Sequence, residues 1–365
     1  MTDTLRAIGL MSGTSLDGID AAVLETNGVR VAAAGQRLTE AYPPDFRARL
    51  KAVLGGAAAD AVPAVERELT ERHAAAVATL MAEAGLARED VDVIGFHGHT
   101  ILHRPEARRT WQIGDGPLLA ALTGVDVVAD FRAADVAAGG QGAPFAPLYH
   151  AALCRDLAKP VAVLNLGGVG NVTWIGDGAA MLAFDTGPGN ALLDDWAQRH
   201  TGRPCDVDGA LAAAGQADAA LLARLLAHAY FAKTPPKSLD RDDFSAAAVD
   251  GLSPADGAAT LAAFTCASVA AARAHFPVPA RRWVVTGGGR HNPVLMQGLA
   301  AGLEVPVEPI EAIGADGDAL EAQAFAFLAV RSLAGLPLSV PGTTGVPRPM
   351  TGGRLFRAQR DPVAT

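Results

Sequence analysis

Hydrophobic and polar positions along this 365-residue chain follow two periods. Apolar runs at 5–10, 19–25, 91–96, 125–130, 160–166, 171–175 and 282–286 have the length of strands. Between them, "VPAVERELTERHAAAVATLMAEAGL" repeats its apolar residues at helical spacing and stops near Gly85. Further helices are expected around 190–201, 218–232, 256–275, 292–302 and 318–334. Strands interleaved with helices over this length predict an α/β fold. No linker or low-complexity run divides the chain. The most irregular stretches, 138–147 and 232–244, read as functional loops or hinges.

Glycine changes this picture. "AIGLMSGTSLDGIDAAVL" and "VAVLNLGGVGNVTWIG" share one grammar: an apolar strand, a turn of small residues, a second apolar strand. Two such hairpins predict two related half-domains. A third cluster, "WVVTGGGRHNPVLMQGLAAGL", runs from strand into helix, with Asn292 and Pro293 as the helix start. Glycine lets backbone N–H groups approach a ligand, and Ser and Thr add hydroxyl donors, so such turns suit phosphate. A single turn of this kind is ordinarily just a hairpin; three of them point to a polyphosphate. GxxxxGK[ST] and a strand-following GxGxxG are both absent, so a nucleotide here needs another mode of binding.

Composition narrows the class. The net charge of −9, from 30 basic and 39 acidic residues, argues against a nucleic-acid partner. No window reaches 18 uninterrupted apolar residues, and "MTDTLRAIGL" lacks the basic and apolar regions of a signal peptide. Cys154, Cys205 and Cys266 show no paired spacing and fit free thiols in a reducing compartment. A cytoplasmic globular protein without a membrane or nucleic-acid partner is expected. His97, His99 and His103 have zinc-like spacing but no Cys or acidic ligand close by, which argues against zinc. His97 and His99 are expected on one side of a strand, with His103 beyond a turn. Asp185, in "AFDTGPGN", ends an apolar strand before a Gly-Pro-Gly turn. It reads either as a general base or as a cap of the next helix. That helix, starting at Asn190, would point N–H groups at nearby anions. Glu321 opens the last long helix, where a solvated carboxylate is also at home.

The two hairpins and the third turn resemble the actin/Hsp70/sugar-kinase superfamily. That likeness implies two ribonuclease H-like halves with ATP in the cleft between them. Met11 stands where that superfamily usually carries an aspartate. "GLMSGTSLDGID", "FHGHT", "ADFRAADVAAGGQGAP", "LNLGGVGNVT", "FDTGPGNALLDDW", "PPKSLDRDDF", "VTGGGRHNPVLM" and "DALEAQAFAFLA" together resemble the anhydro-N-acetylmuramic acid kinase family over nearly the whole chain. His99 departs from it, since the family more often has Gln there.

The resemblance implies ATP- and Mg2+-dependent conversion of 1,6-anhydro-N-acetylmuramic acid, with water, to N-acetylmuramic acid 6-phosphate. It implies Asp185 as the base for that water. Gly13, Thr14, Ser15, Leu16, Asp17, Gly18, Ile19 and Asp20 would surround the β- and γ-phosphates, with Asp17 or Asp20 nearest magnesium. Gly167, Gly168 and Asn171 would face them, and Gly287, Gly288 and Gly289 would lie beside the adenosine. His97, Thr100, Arg132, Asp135 and Glu321 would line the sugar, Arg132 gripping its lactyl carboxylate. Half-domains of 1–130 with 335–365, and of 131–334, are expected, as is a homodimer. Three rivals remain at this point: a kinase of another sugar, a nucleotide-driven switch, and a glycosidase indifferent to ATP.

Overall fold

β1 (Leu5–Ser12) and β2 (Gly18–Thr26) form the first expected hairpin, in antiparallel register from Leu5–Thr26 to Met11–Asp20. β3 (Val31–Ala41) extends it beyond β2, and β4 (Val93–Arg104) runs parallel to β1 on the other side. β5 (Arg109–Ile113) folds back on β4, β6 (Val127–Ala129) follows β4 in parallel, and a last strand, Arg354–Phe356, borders β6. The second expected hairpin pairs β7 (Val161–Leu166) with β8 (Val169–Ile175), and β9 (Met181–Pro188) completes a meander. β10 (Trp283–Thr286) and β11 (Val307–Pro309) continue from β7 in parallel.

Both sheets therefore place their third, second, first, fourth and fifth main strands side by side, three antiparallel and then two parallel. One half-domain is built twice, as the paired hairpin grammar predicts, and the fold is the α/β, ribonuclease H-like duplication. The computed structural model describes residues 3–13 and 15–359. Unit 1 comprises Met1–Arg155 and Ala319–Thr365, and unit 2 comprises Asp156–Asp318. These bounds differ from the expected 130 and 334. Residues 131–155 and the helix Leu320–Leu333 belong to unit 1, because Phe131 and Tyr149 pack their rings on Phe325 and Phe327 of that helix.

That helix is buried from Ala322 to Val330, as befits a core helix. It lies directly on the sheet where Gly9 of β1 pairs with Gly95 of β4. A Cβ on Gly9 would stand 1.8 Å from the Ala322 carbonyl oxygen, and one on Gly95 would stand 2.1 Å from that of Phe325. In unit 2, Asn292 caps the helix Pro293–Leu303 by accepting from Val294 and Leu295 N–H at 3.0 and 3.3 Å, with Pro293 in the first turn.

The helix expected over 218–232 divides into Ala219–Leu226 and a 3-10 turn, Ala229–Ala232, with the His228 ring accepting from Tyr230 N–H at the junction. Among the described residues, Pro254–His275 is the helix long and apolar enough to cross a membrane, but 56% of its apolar window is buried in the unit 2 core. Phe264 and Leu261 of that helix pack there with Trp196 and Trp283.

Candidate functional site

In unit 1, His97 is buried; its Nδ1 donates to the Gly98 carbonyl at 2.9 Å and its Nε2 accepts from Arg132 Nε at 3.0 Å. These contacts fix a neutral tautomer with the proton on Nδ1. Burial, then the Arg132 charge, holds the ring well below the usual imidazole range. Arg132 also donates from Nη1 to the Gly142 carbonyl at 2.6 Å and lies over the Phe145 and Phe325 rings. Its Nη2 has no hydrogen-bond partner among the described residues. Burial lowers the guanidinium to about 10 against the pull of Glu321 and Asp135, so it stays cationic at neutral pH. The Thr100 hydroxyl, half-buried on β4, accepts from Gln112 Nε2 at 3.1 Å.

Asp135 plays a different part from the one expected. Its Oδ1 accepts from Gly142 N–H at 2.7 Å, and its Oδ2 accepts from the Thr344 hydroxyl at 2.6 Å and from the Ser339 hydroxyl. Fully buried and engaged by three donors, it ties the 138–147 loop to the 339–344 segment rather than offering an acceptor to a sugar. His99 is also internal: its Nδ1 lies 2.9 Å from Ser12 Oγ, which lies 2.6 Å from the Tyr42 hydroxyl. Burial brings it down to about 4, and it braces the end of β1. His103 stands on β4 itself and not beyond a turn, bonded to Thr110 Oγ1 and the Gln141 carbonyl. Gly98, at φ +69, breaks the alternation on which the same-side expectation for His97 and His99 rested.

The first hairpin turn separates into anchors and open positions. Leu16 and Ile19 are buried with Tyr42 and Phe46, and Gly18 faces the Glu40 carbonyl of β3, where a Cβ would stand 2.1 Å away. Those three hold the turn from behind. Gly13 and Ser15 remain accessible, while Thr14 lies outside the described residues. Asp17 is exposed, 3.5 Å from the Arg47 guanidinium. Asp20 accepts from the Thr39 hydroxyl at 2.7 Å and pairs directly across from Met11, so a carboxylate does stand beside the superfamily position.

Glu321 is reached by solvent, yet surrounding protein and then the Asp20 charge raise its carboxyl above the usual range, with Arg132 opposing. Two repelling carboxylates of this kind suit a hard divalent cation. No group of three or more His, Cys, Asp or Glu able to hold a metal occurs among the described residues. A cation at Asp20 and Glu321 would therefore take much of its shell from phosphate and water.

Unit 2 carries a polar row in register across four strands: Thr286 on β10, Asn165 on β7, Asn171 on β8 and Asp185 on β9. Asp185 lies inside β9, before its Gly-Pro end, and does not cap the helix Ala191–Thr201, whose N-cap position is Asn190. Its N–H donates to the Lys237 carbonyl at 3.1 Å, its carbonyl accepts from the Tyr230 hydroxyl at 2.6 Å, and its Oδ2 accepts from Leu239 N–H at 2.8 Å. Oδ1 has no partner among the described residues. Burial pushes this carboxyl up to about 6, with the Leu239 hydrogen bond opposing and Asp240 adding to the rise. A carboxylate held by one oxygen, open at the other and titrating near neutrality has the makings of a general base.

At the helix N-terminus, Gly189, Asn190 and Ala191 N–H donate to the carbonyls of Gly168, Gly167 and Gly168 and so are taken by the second hairpin turn. Gly167 and Gly168 themselves leave room above the second hairpin. Gly287 (φ +77) and Gly289 sit against the end of β7, where a Cβ would lie 2.3 Å from Asn165 Oδ1 and 2.6 Å from Leu166 Cβ. Gly288 opens instead onto a cleft of about 270 Å³ lined also by Asn190, Asp194, Asp206 and His291. Asn190 donates from Nδ2 to the Leu166 carbonyl at 2.8 Å, while its Oδ1, buried against Gly289, has no partner among the described residues. A larger groove, about 680 Å³, is lined mainly by alanine and glycine around Cys266, whose thiol burial raises to about 12, and it offers no chemistry.

Sequence reading missed Asn165, Tyr230 and Asp194. Asn165 is visible in "LNLGGVGN" only once the hairpin register, which pairs it with Asn171, is known.

The sequence model of a family described as anhydro-N-acetylmuramic acid kinase matches residues 5–358. A protein of that description from Paramagnetospirillum magneticum is 61% identical over 353 residues, covering 96% of this chain and 99% of the relative. One from Rhodospirillum rubrum is 60% identical over 356 residues, covering 96% and 94%. Among solved structures, an activator of 2-hydroxyisocaproyl-CoA dehydratase from Clostridium difficile with bound ADPNP aligns distantly: 13% identity, TM-score 0.45, covering 91% of this chain and 97% of that one.

Proposed function

The chain belongs to the anhydro-N-acetylmuramic acid kinase family and is a phosphotransferase; from that premise we propose that it converts 1,6-anhydro-N-acetylmuramic acid, ATP and water to N-acetylmuramic acid 6-phosphate and ADP in murein recycling. The observation that carries the mechanism is Asp185, with Oδ2 held by Leu239 N–H and Oδ1 open. In the anhydro sugar O6 is bonded to C1 and bears no proton, so a base has nothing to remove from it. Asp185 Oδ1 instead takes a proton from a water molecule as that oxygen bonds to C1. The C1–O6 bond breaks, and O6 takes the γ-phosphoryl as ADP leaves. A positioned base of this kind contributes about 10²–10⁴-fold.

Arg132, steadied by neutral His97, would meet the lactyl carboxylate through Nη2, with Thr100 and Glu321 nearby. Gly13, Thr14 and Ser15 would receive the β- and γ-phosphates, and Gly167, Gly168 and Asn171 the phosphates near Asp185. The cleft that opens at Gly288 supports a nucleoside there. Asp20 and Glu321 would hold magnesium, which when bound neutralises phosphate charge. The homodimer and the cytoplasmic setting belong to the same reading. A glycosidase would need neither the glycine turns nor ATP. Incubation with ATP, magnesium and the anhydro sugar, followed by mass spectrometry, is expected to give the 6-phosphate. ATP turnover without a phosphorylated sugar, or sugar opening without ATP, contradicts the reading.

A further inference from the structure

The cleft beside Gly288 is uneven in its chemistry. Asp206 is engaged, its Oδ1 accepting from Leu211 N–H at 2.8 Å and its Oδ2 from Ala212 N–H at 3.0 Å. Asn292 Oδ1 is engaged as the cap of the following helix. One half-buried carboxylate of the lining remains unengaged, that of Asp194 in the first turn of the helix Ala191–Thr201; Asp208 lines the cleft too but is exposed. The Asp194 carboxylate has no hydrogen-bond or ion-pair partner among the described residues, and Arg241, the nearby cation, is bonded to Asp195 instead. A wall that carries Asp194, Asp206 and Asp208 selects a ligand end that donates. Phosphates are repelled by it, so the nucleoside end of a nucleotide is what it accommodates. Within a nucleoside the vicinal ribose hydroxyls are two donors that a single carboxylate can take together, whereas adenine supplies its exocyclic amine alone.

We infer that Asp194 accepts the ribose hydroxyls of the bound nucleotide and makes this site selective for ribonucleotides. This inference rests on the kinase reading above and names a specificity-determining residue within it. A site built around a substrate hydroxyl leaves a buried acceptor unpaired when the hydroxyl is missing, and so rejects the analogue strongly.

Calorimetric titration without sugar tests it, using ADP and 2′,3′-dideoxy-ADP against the parent chain, Asp194→Asn and Asp194→Ala. The parent is expected to bind ADP about 10-fold or more tighter than the dideoxy analogue, the range of hydrogen bonds to a charged group. Both variants are expected to lose most of that ratio. Asp194→Asn, close in shape, guards against a misfolded Ala variant. Equal binding of the two nucleotides by the parent, or an undiminished ratio in both variants, overturns the assignment while leaving the kinase reading standing. Failure of the parent to bind ADP at all brings down both.

Discussion

At the scale of single residues, the chemistry concentrates in carboxylates whose surroundings differ. Asp185 is raised by burial to about 6, whereas an unfolded aspartate releases its proton near about 3.9. The folded chain therefore holds the extra proton between those values, and ionising Asp185 costs stability as pH rises through about 6. The same ionisation is needed for a base, so turnover is expected to fall as pH drops below about 6. Asp185→Asn is expected to lose about 10²–10⁴-fold in kcat while melting no lower than the parent at neutral pH. Rate profiles across pH together with melting curves check both halves of that expectation. Glu321, beside Asp20, carries the cation argument: Glu321→Gln is expected to raise the magnesium concentration for half-maximal rate about 10-fold or more, with the KM for the sugar changing less. A magnesium titration with no shift removes Glu321 from the metal's surroundings.

Residue identity was legible in the sequence, but residue role was less so. Asp185, Arg132 and His97 stood out in their motifs; in the structure Leu239 N–H holds Asp185, and Arg132 donates to His97. Asp135 and His99 stood out equally, yet both turn inward, one engaged by three donors and the other braced on Ser12. Which side of a strand a polar residue faces depends on register and on breaks such as Gly98, and neither is written in local spacing.

At the scale of elements, glycine decides where the helix Leu320–Leu333 can lie. Gly9 and Gly95 are register partners, and both accept the helix backbone at distances no Cβ could tolerate. Gly95→Ala is expected to destabilise the fold by about 1–3 kcal/mol or more through overpacking, read as a lower denaturant midpoint, and to displace Glu321 and Phe325 with the helix. An unchanged midpoint would show that the helix does not depend on this contact. The strongly patterned elements were legible. The helix Val62–Ala84 ends at Gly85, and the hairpins fall where the small residues do. β3 was not legible, because "VAAAGQRLTEA" is an exposed edge strand with no apolar alternation to mark it. β9 was legible only up to Asp185: its Gly-Pro reads as a turn but continues the strand to Pro188.

At the scale of the whole molecule, one half-domain is used twice and the two copies carry different polar groups. Unit 1 carries the Arg132–His97 pair and the carboxylates Asp20 and Glu321. Unit 2 carries Asp185 and the glycine turn at Gly288. Repetition was legible as a shared grammar of strand, small turn and strand. The unit boundaries were not, since the return of the chain through Leu320–Leu333 is settled by packing on β1 and β4 rather than by any break in composition.

The coupling of water to phosphoryl transfer is the central claim, and isotope placement tests it most directly. The reaction is run in oxygen-18 water and the sugar phosphate is analysed by mass spectrometry with fragmentation. Water attack at C1 predicts one heavy oxygen in the anomeric hydroxyl, captured before exchange, and none in the phosphoryl group or its bridge to C6. An unlabelled product, or label found on phosphorus, would contradict it.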